Sequence, residues 1–222
     1  MSERAWEPAA DRLGQAAAAD GEPTRWFEEL WSAAARDELD TPWSRTQPYP
    51  PVADLVAAQG DGIGRRGVVV GAGLGADAEH LAERGWATTA FDVSASAVDL
   101  ARGRHPDTVV DYRVADLFAL PDDLVGAFDL VLEVFTVQAL PPVVREEAAA
   151  AVRSLLAPGG TLLAVQVVRE AGESPDDGPP WLLDAEGMRV FEGDDVVLDD
   201  LERGPVPNGR ALFLATLRRS RP

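Results

Sequence analysis

The chain has 222 residues, no cysteine and a formal net charge of −18, which excludes disulfides, thiolate metal sites and a cysteine nucleophile. That charge argues against nucleic acid or an anionic membrane surface as partner, because phosphate binding needs clustered Lys or Arg. A hydrophobic content of 46% at this length suits one domain with a full core rather than a disordered chain.

All 20 basic residues are Arg, which together with the Ala-rich composition points to a GC-rich bacterial genome. The opening segment, MSERAWEPAADRLGQAAAAD, lacks an uninterrupted apolar core and is not read as a signal peptide. No run approaches the roughly 20 apolar residues of a membrane span. A soluble, cytoplasmic protein is expected.

Residues 25–36 place Phe27, Leu30, Trp31 and Ala34 at helical spacing, which predicts a helix with one packed face. Phe27 and Trp31 are read there as packing residues rather than site residues. DTPWSRTQPYPP, 40–51, is a proline-punctuated loop, so residues 1–50 form a helical cover segment ahead of a main domain at 51–222. VADLVAAQG then reads as a short helix ended by Gly60. From residue 67 strands and helices alternate: strand 68–71, helix 76–84, strand 87–92, helix 95–103 and strand 109–114. After a loop rich in Leu and Phe come strand 128–134, helix 142–156, the turn Pro158-Gly159-Gly160 and strand 161–168. Such alternation predicts a parallel sheet wrapped by helices. REAGESPDDGPP, 169–180, is polar and turn-rich, a short helix is expected over 184–191, and strands near 195–202 and 210–217 close the sheet. The predicted fold class is α/β: a Rossmann-like sheet of seven strands, mostly parallel with the last strand antiparallel, and helices on both faces.

The chemistry concentrates in VVVGAGLGADAEHLAERG, 68–85. Three Val residues suit a buried strand, and Gly71, Gly73 and Gly75 can turn sharply before a helix. That arrangement sets bare backbone N–H groups beside a helix N-terminus, open to a nucleotide-like ligand. Asp92 ends the next strand, where a carboxylate can accept hydrogen bonds from ribose hydroxyls; it could instead cap the following helix, whose Ser96/Asp99 spacing resembles a capping box. By themselves these features indicate an adenosine-type cofactor.

Five segments in order, VVVGAGLG at 68–75, FDVS at 91–94, VADLF at 114–118, FDLVLE at 128–133 and LLAPGGTLL at 155–163, resemble the class I S-adenosylmethionine-dependent methyltransferases over roughly residues 41–217. The resemblance implies S-adenosyl-L-methionine as cofactor, met by Gly71, Ala72, Gly73 and Gly75. It places Asp92 at the ribose and Asp116 at the adenine amino group with Leu117 and Phe118 flanking the ring, and counts Asp77 and Val93 among the cofactor-binding positions. Glu133 and Val134 fall at the crevice, where Glu133 can meet the cofactor's amino group or the acceptor, or stay solvated. Many members carry an acidic residue where this chain has Val69. An apolar residue there, Asp77 just after the loop, Pro42-Trp43 upstream and Gly178-Pro179-Pro180-Trp181 after the fifth strand are similar to the thiopurine methyltransferase-like branch. Trp43 is then expected as a lid over the methionine end of the cofactor.

Methyl transfer from a sulfonium needs alignment and exclusion of water more than acid–base help, which fits a chain without a triad. His80 and His105 are read as surface residues, and no metal cluster has convincing spacing. Amino-methyltransferases acting on nucleobases or glutamine often carry an Asn/Asp-Pro-Pro-aromatic run after the fourth strand. This chain has Glu133-Val134-Phe135-Thr136, so a small-molecule acceptor is expected. Its pocket is placed among the N-terminal segment, Phe135 to Gln138 and an insertion at 170–188 that contains Trp181. Two alternatives stay open: an NAD(P)-binding oxidoreductase, since Gly71-x-Gly73-x-x-Ala76 meets a relaxed dinucleotide fingerprint, and a non-catalytic, cofactor-binding regulatory protein.

Overall fold

Val68, Val69 and Val70 form β1 (Arg66–Val70), buried from Gly67 onward, in the computed structural model, which describes residues 7–39, 41, 43–205 and 209–221. Burial on both faces is what a central parallel strand requires. Beside β1 stand β2 (Ala87–Asp92), β3 (Asp111–Val114), β4 (Phe128–Val134), β5 (Leu156–Val167), β6 (Val196–Pro205) and β7 (Ala211–Arg219). The seven-stranded sheet has the order β3-β2-β1-β4-β5-β7-β6. Strands β1 to β5 pair in parallel, and β7 is inserted antiparallel between β5 and β6, as the sequence predicted. Val70 stands opposite both Phe91 and Glu133, so the carboxyl ends of β1, β2 and β4 form one rim. The strand order reverses between β1 and β4, the place where open α/β sheets bind ligands.

Successive side chains leave opposite faces of a strand, and the core divides accordingly. Val68, Val70, Val131 and Leu162 pack on one face with Val152 and Leu155. Val69, Leu130, Leu132 and Leu163 pack on the other with Leu81 and Val98. The second face is covered by α3 (Pro50–Ala58), α4 (Ala76–Glu83) and α5 (Ala95–Arg104), and the first by α6 (Arg145–Ser154).

Several boundaries differ from the sequence reading for definable reasons. Residues 142–144 form a 3₁₀ turn, and because Val144 departs from helical backbone (φ −109°, ψ 3°), α6 begins only at Arg145. Strand β5 begins at Leu156 and runs through the Pro-Gly-Gly turn, with a register shift against β4 between Phe128 and Leu130. The segment read as a helix over 184–191 narrows to a 3₁₀ turn at Gly187–Phe191. Ser94, not Ser96, caps α5, accepting from Ala97 N at 3.0 Å.

The N-terminal residues form α1 (Glu7–Ala19) and α2 (Arg25–Ala35). Helix α2 buries Trp26 and Leu30 against Ala10, Ala17 and Ala139, and Trp31 against Leu74 and Ala97. A carboxylate fixes this docking. Glu28 accepts from the hydroxyls of Ser94 and Ser96, both at 2.6 Å, and from Ser96 N at 3.2 Å, placing negative charge at the N-terminus of α5. Against the desolvation of its partly covered position, those bonds hold the Glu28 carboxyl below the usual range. Among the described residues no helix is long and apolar enough to cross a membrane.

Candidate active site

The loop between β1 and α4 takes its shape from three glycines with left-handed backbone, Gly71 (φ 63°), Gly73 (φ 52°) and Gly75 (φ 87°). A side chain at Gly71 would collide with the hydroxyl of Thr136, which donates to Val70 O at 3.0 Å. A Cβ on Gly73 would stand 3.2 Å from the Trp31 ring. Gly75 caps α4, and the Tyr112 hydroxyl occupies its Cβ position while donating to Glu79 at 2.8 Å.

Over this loop lies a cavity of about 910 Å³, its open mouth included. Its floor comes from the sheet rim: Gly71, Ala72, Gly73 and Asp77, then Asp92 and Val93, Asp116 and Leu117, and Val134 and Phe135. Its roof comes from the N-terminal segment, with Trp43 among the lining residues; Pro42, the other half of that pair, lies outside the described residues. Thus most of the expected positions are brought together. Phe27 and Trp31, expected only to pack, also line the cavity, as do Arg45, Phe118 and Thr136.

Asp92 is buried, and its two oxygens accept from Gly73 N and Ser94 N at 3.0 Å each. Burial pushes its carboxyl upward, and the nearby Glu28 charge adds to this. Asp92 therefore shapes the loop as well as facing the cavity, and each oxygen retains a lone pair for a further donor. Asp116 accepts from Phe118 N at 2.9 Å and caps the turn Leu117–Ala119. Asp77, in the first turn of α4, pairs with Arg45 at 2.9 Å. The Arg45 guanidinium also lies 4.4 Å from the Tyr49 ring centroid, and Tyr49 meets Phe135 edge-on with 5.5 Å between centroids.

Four expected site residues lie outside the cavity wall. Gly75 is held back by its contact with Tyr112. Glu133 is wholly buried rather than solvated: Oε1 accepts from Thr136 N at 2.7 Å and Val137 N at 2.8 Å, and Oε2 from the Gln166 amide. Burial raises its carboxyl to about 8. Gln138 is buried, its side-chain oxygen taken by Val167 N at 2.6 Å and its carbonyl by Trp181 N at 2.7 Å. Trp181 is buried in that same contact and accepts from Arg145 at 2.9 Å. The insertion thus supports the cover from behind: a Cβ on Gly14 of α1 would stand 2.6 Å from Pro179.

The wall offers three carboxylates, Asp77, Asp92 and Asp116, and among the described lining residues one cation, Arg45. Glycine amides, carboxylates at the β2 and β3 ends and an aromatic roof fit a ligand with ribose hydroxyls, an adenine amine and positive charge. No group of three or more His, Asp or Glu among the described residues could hold a metal ion.

The family model described as a methyltransferase domain matches residues 68–160. The 2-heptyl-1-hydroxyquinolin-4(1H)-one methyltransferase of Mycobacteroides abscessus is 32% identical over 163 residues, which cover 69% of this chain and 68% of that protein. Among solved structures, one from work on converting a disulfide bond into a thioacetal group during echinomycin biosynthesis superposes with a TM-score of 0.71 at 23% identity, covering 87% of this chain and 93% of that one. The N-methyltransferase NodS of Bradyrhizobium japonicum, in complex with S-adenosyl-L-homocysteine, gives 0.65 at 18% identity over 86% of this chain and 98% of that one. Fold, rim and relatives agree, and the dinucleotide-oxidoreductase alternative falls away: the chain belongs to the class I S-adenosylmethionine-dependent methyltransferases.

Proposed function

We propose that this enzyme methylates a heteroatom of a small, flat, largely apolar heteroaromatic molecule. The observation that carries this reading is the aromatic wall: Phe27, Trp31, Trp43, Phe118 and Phe135 line one cavity with the glycine loop. The M. abscessus relative acts, by its name, on a hydroxylated quinolinone, a molecule such a wall would stack and desolvate. The apolar Val69, Asp77 beyond the loop and the Gly178–Trp181 segment support a place in the thiopurine methyltransferase-like branch, whose acceptors are also flat heterocycles.

Bound S-adenosylmethionine supplies an electrophilic methyl carbon whose leaving group is a neutral thioether. The protein's part is to orient and to exclude water. Gly71 to Gly73 present backbone amides, Asp92 and Val93 hold the ribose, Asp116 and Leu117 hold the adenine, and the N-terminal segment up to residue 50 closes the roof. An acceptor O–H or S–H of low pKa has already lost its proton in solution before it enters the closed site, so no dedicated base is required. Incubation with S-adenosylmethionine and a panel of hydroxyquinolinones, thiopurines, aliphatic thiols and amines, followed by mass spectrometry, tests the acceptor class. Methyl gain on the heteroaromatics is expected, and turnover confined to the aliphatic compounds would refute it. Asp92→Asn should weaken binding of S-adenosylhomocysteine by about 1–3 kcal/mol in calorimetry; unchanged affinity in the folded variant would remove the ribose assignment.

A further inference from the structure

We infer that Glu133, backed by Gln166, is a positioning residue that locks the turn after β4 against the cofactor loop. The turn needs a lock because Phe135 has φ 66°, a left-handed conformation that costs a side-chain-bearing residue free energy and persists only where its surroundings impose it. One carboxylate oxygen of Glu133 takes both amides of the turn, Thr136 N at 2.7 Å and Val137 N at 2.8 Å. These bonds aim Thr136 at β1, where its hydroxyl donates to Val70 O at 3.0 Å and fills the space left by the missing side chain of Gly71. A continuous path therefore runs from Glu133 through Thr136 to the first glycine of the loop. Phe135 and Thr136 line the cavity, and Glu133 does not.

Gln166 completes the lock. It is wholly buried on β5, its amide nitrogen meets Glu133 Oε2, and its Oε1 has no partner among the described residues. A neutral Glu133 can donate its proton to the Gln166 oxygen once that amide turns over, an exchange of N and O that leaves the heavy atoms in place. The groups acting on the Glu133 carboxyl are the amides of Val137, Thr136 and Gln166, with no charged side chain among them. Glutamine at 133 can reproduce every one of these bonds, and methionine none.

A double-mutant cycle read by calorimetric titration with S-adenosylhomocysteine tests the path, with circular dichroism to confirm folding. Glu133→Met should weaken binding about tenfold or more by leaving two buried amides unmade, whereas Glu133→Gln should stay within about threefold of wild type. Thr136→Val should weaken binding in the wild-type background and add little in Glu133→Met, because the lock that aims Thr136 is already lost. Additive losses, or a Glu133→Gln variant as weak as Glu133→Met, would overturn the inference. If Glu133→Met does not fold, Gln166→Met takes its place in the cycle with Thr136→Val, and additivity there is equally decisive.

Discussion

Carboxylates that share one rim have different tasks, and access to the cavity separates them. Asp116 and Asp77 remain at the cavity wall, whereas Glu133 is sealed behind it. Its raised value has a thermodynamic sign. Between the ordinary value of 4.5 and about 8 the folded chain holds a proton that the unfolded chain has released, so stability falls with rising pH. The contribution is fully present below 4.5 and is lost as pH rises through about 8. The midpoint of thermal unfolding should therefore drop between about pH 4.5 and about pH 8 and level off above that, and Glu133→Gln should flatten that drop. Equal slopes in the two proteins would show that another group is responsible. In the sequence, Glu133 is legible only as an acidic residue at a strand end. Nothing local tells whether such a side chain turns outward to a ligand or inward to Gln166, 33 residues away.

Elements were more legible than their contacts. The βα alternation follows from periodicity that is local to each segment, and the glycine loop from residue type. Arg45 had no such signal, because its partner Asp77 lies 32 residues on. Gln138 and Trp181 have the right types and neighbourhood for a pocket, yet they satisfy one another's backbone instead. Glu28 likewise reads as an ordinary first-turn carboxylate of α2, and only the fold brings it to Ser94, 66 residues away. It joins the N-terminal segment to α5 just beyond β2, so Glu28→Ala should loosen that segment without disturbing the sheet. A loss of about 1–3 kcal/mol is expected, with faster amide hydrogen exchange across 25–35 than across β1 and β4. Its depressed value gives the opposite pH sign to Glu133: the contribution is present above 4.5 and fades as pH falls through the folded value. Exchange that rose equally in the sheet and in α2 would mean that Glu28 supports the whole fold.

For the molecule as a whole, the division of labour is between a sheet that supplies polar contacts and an N-terminal segment that supplies the aromatic roof. Three of the five described tryptophans belong to that segment: Trp31 and Trp43 line the cavity, with ring centroids 5.9 Å apart, and Trp26 lies 5.7 Å from Trp43. Indoles this close exchange excitation energy, so their emissions are coupled. A ligand stacked beneath Trp43 should therefore alter the emission of the group, while Trp86, buried with Val69 and Leu81, and Trp181, buried outside the cavity wall, supply a constant background. Titration with S-adenosylhomocysteine should thus be readable from the enzyme's own fluorescence, and an unchanged spectrum on saturation would place the ligand away from Trp43.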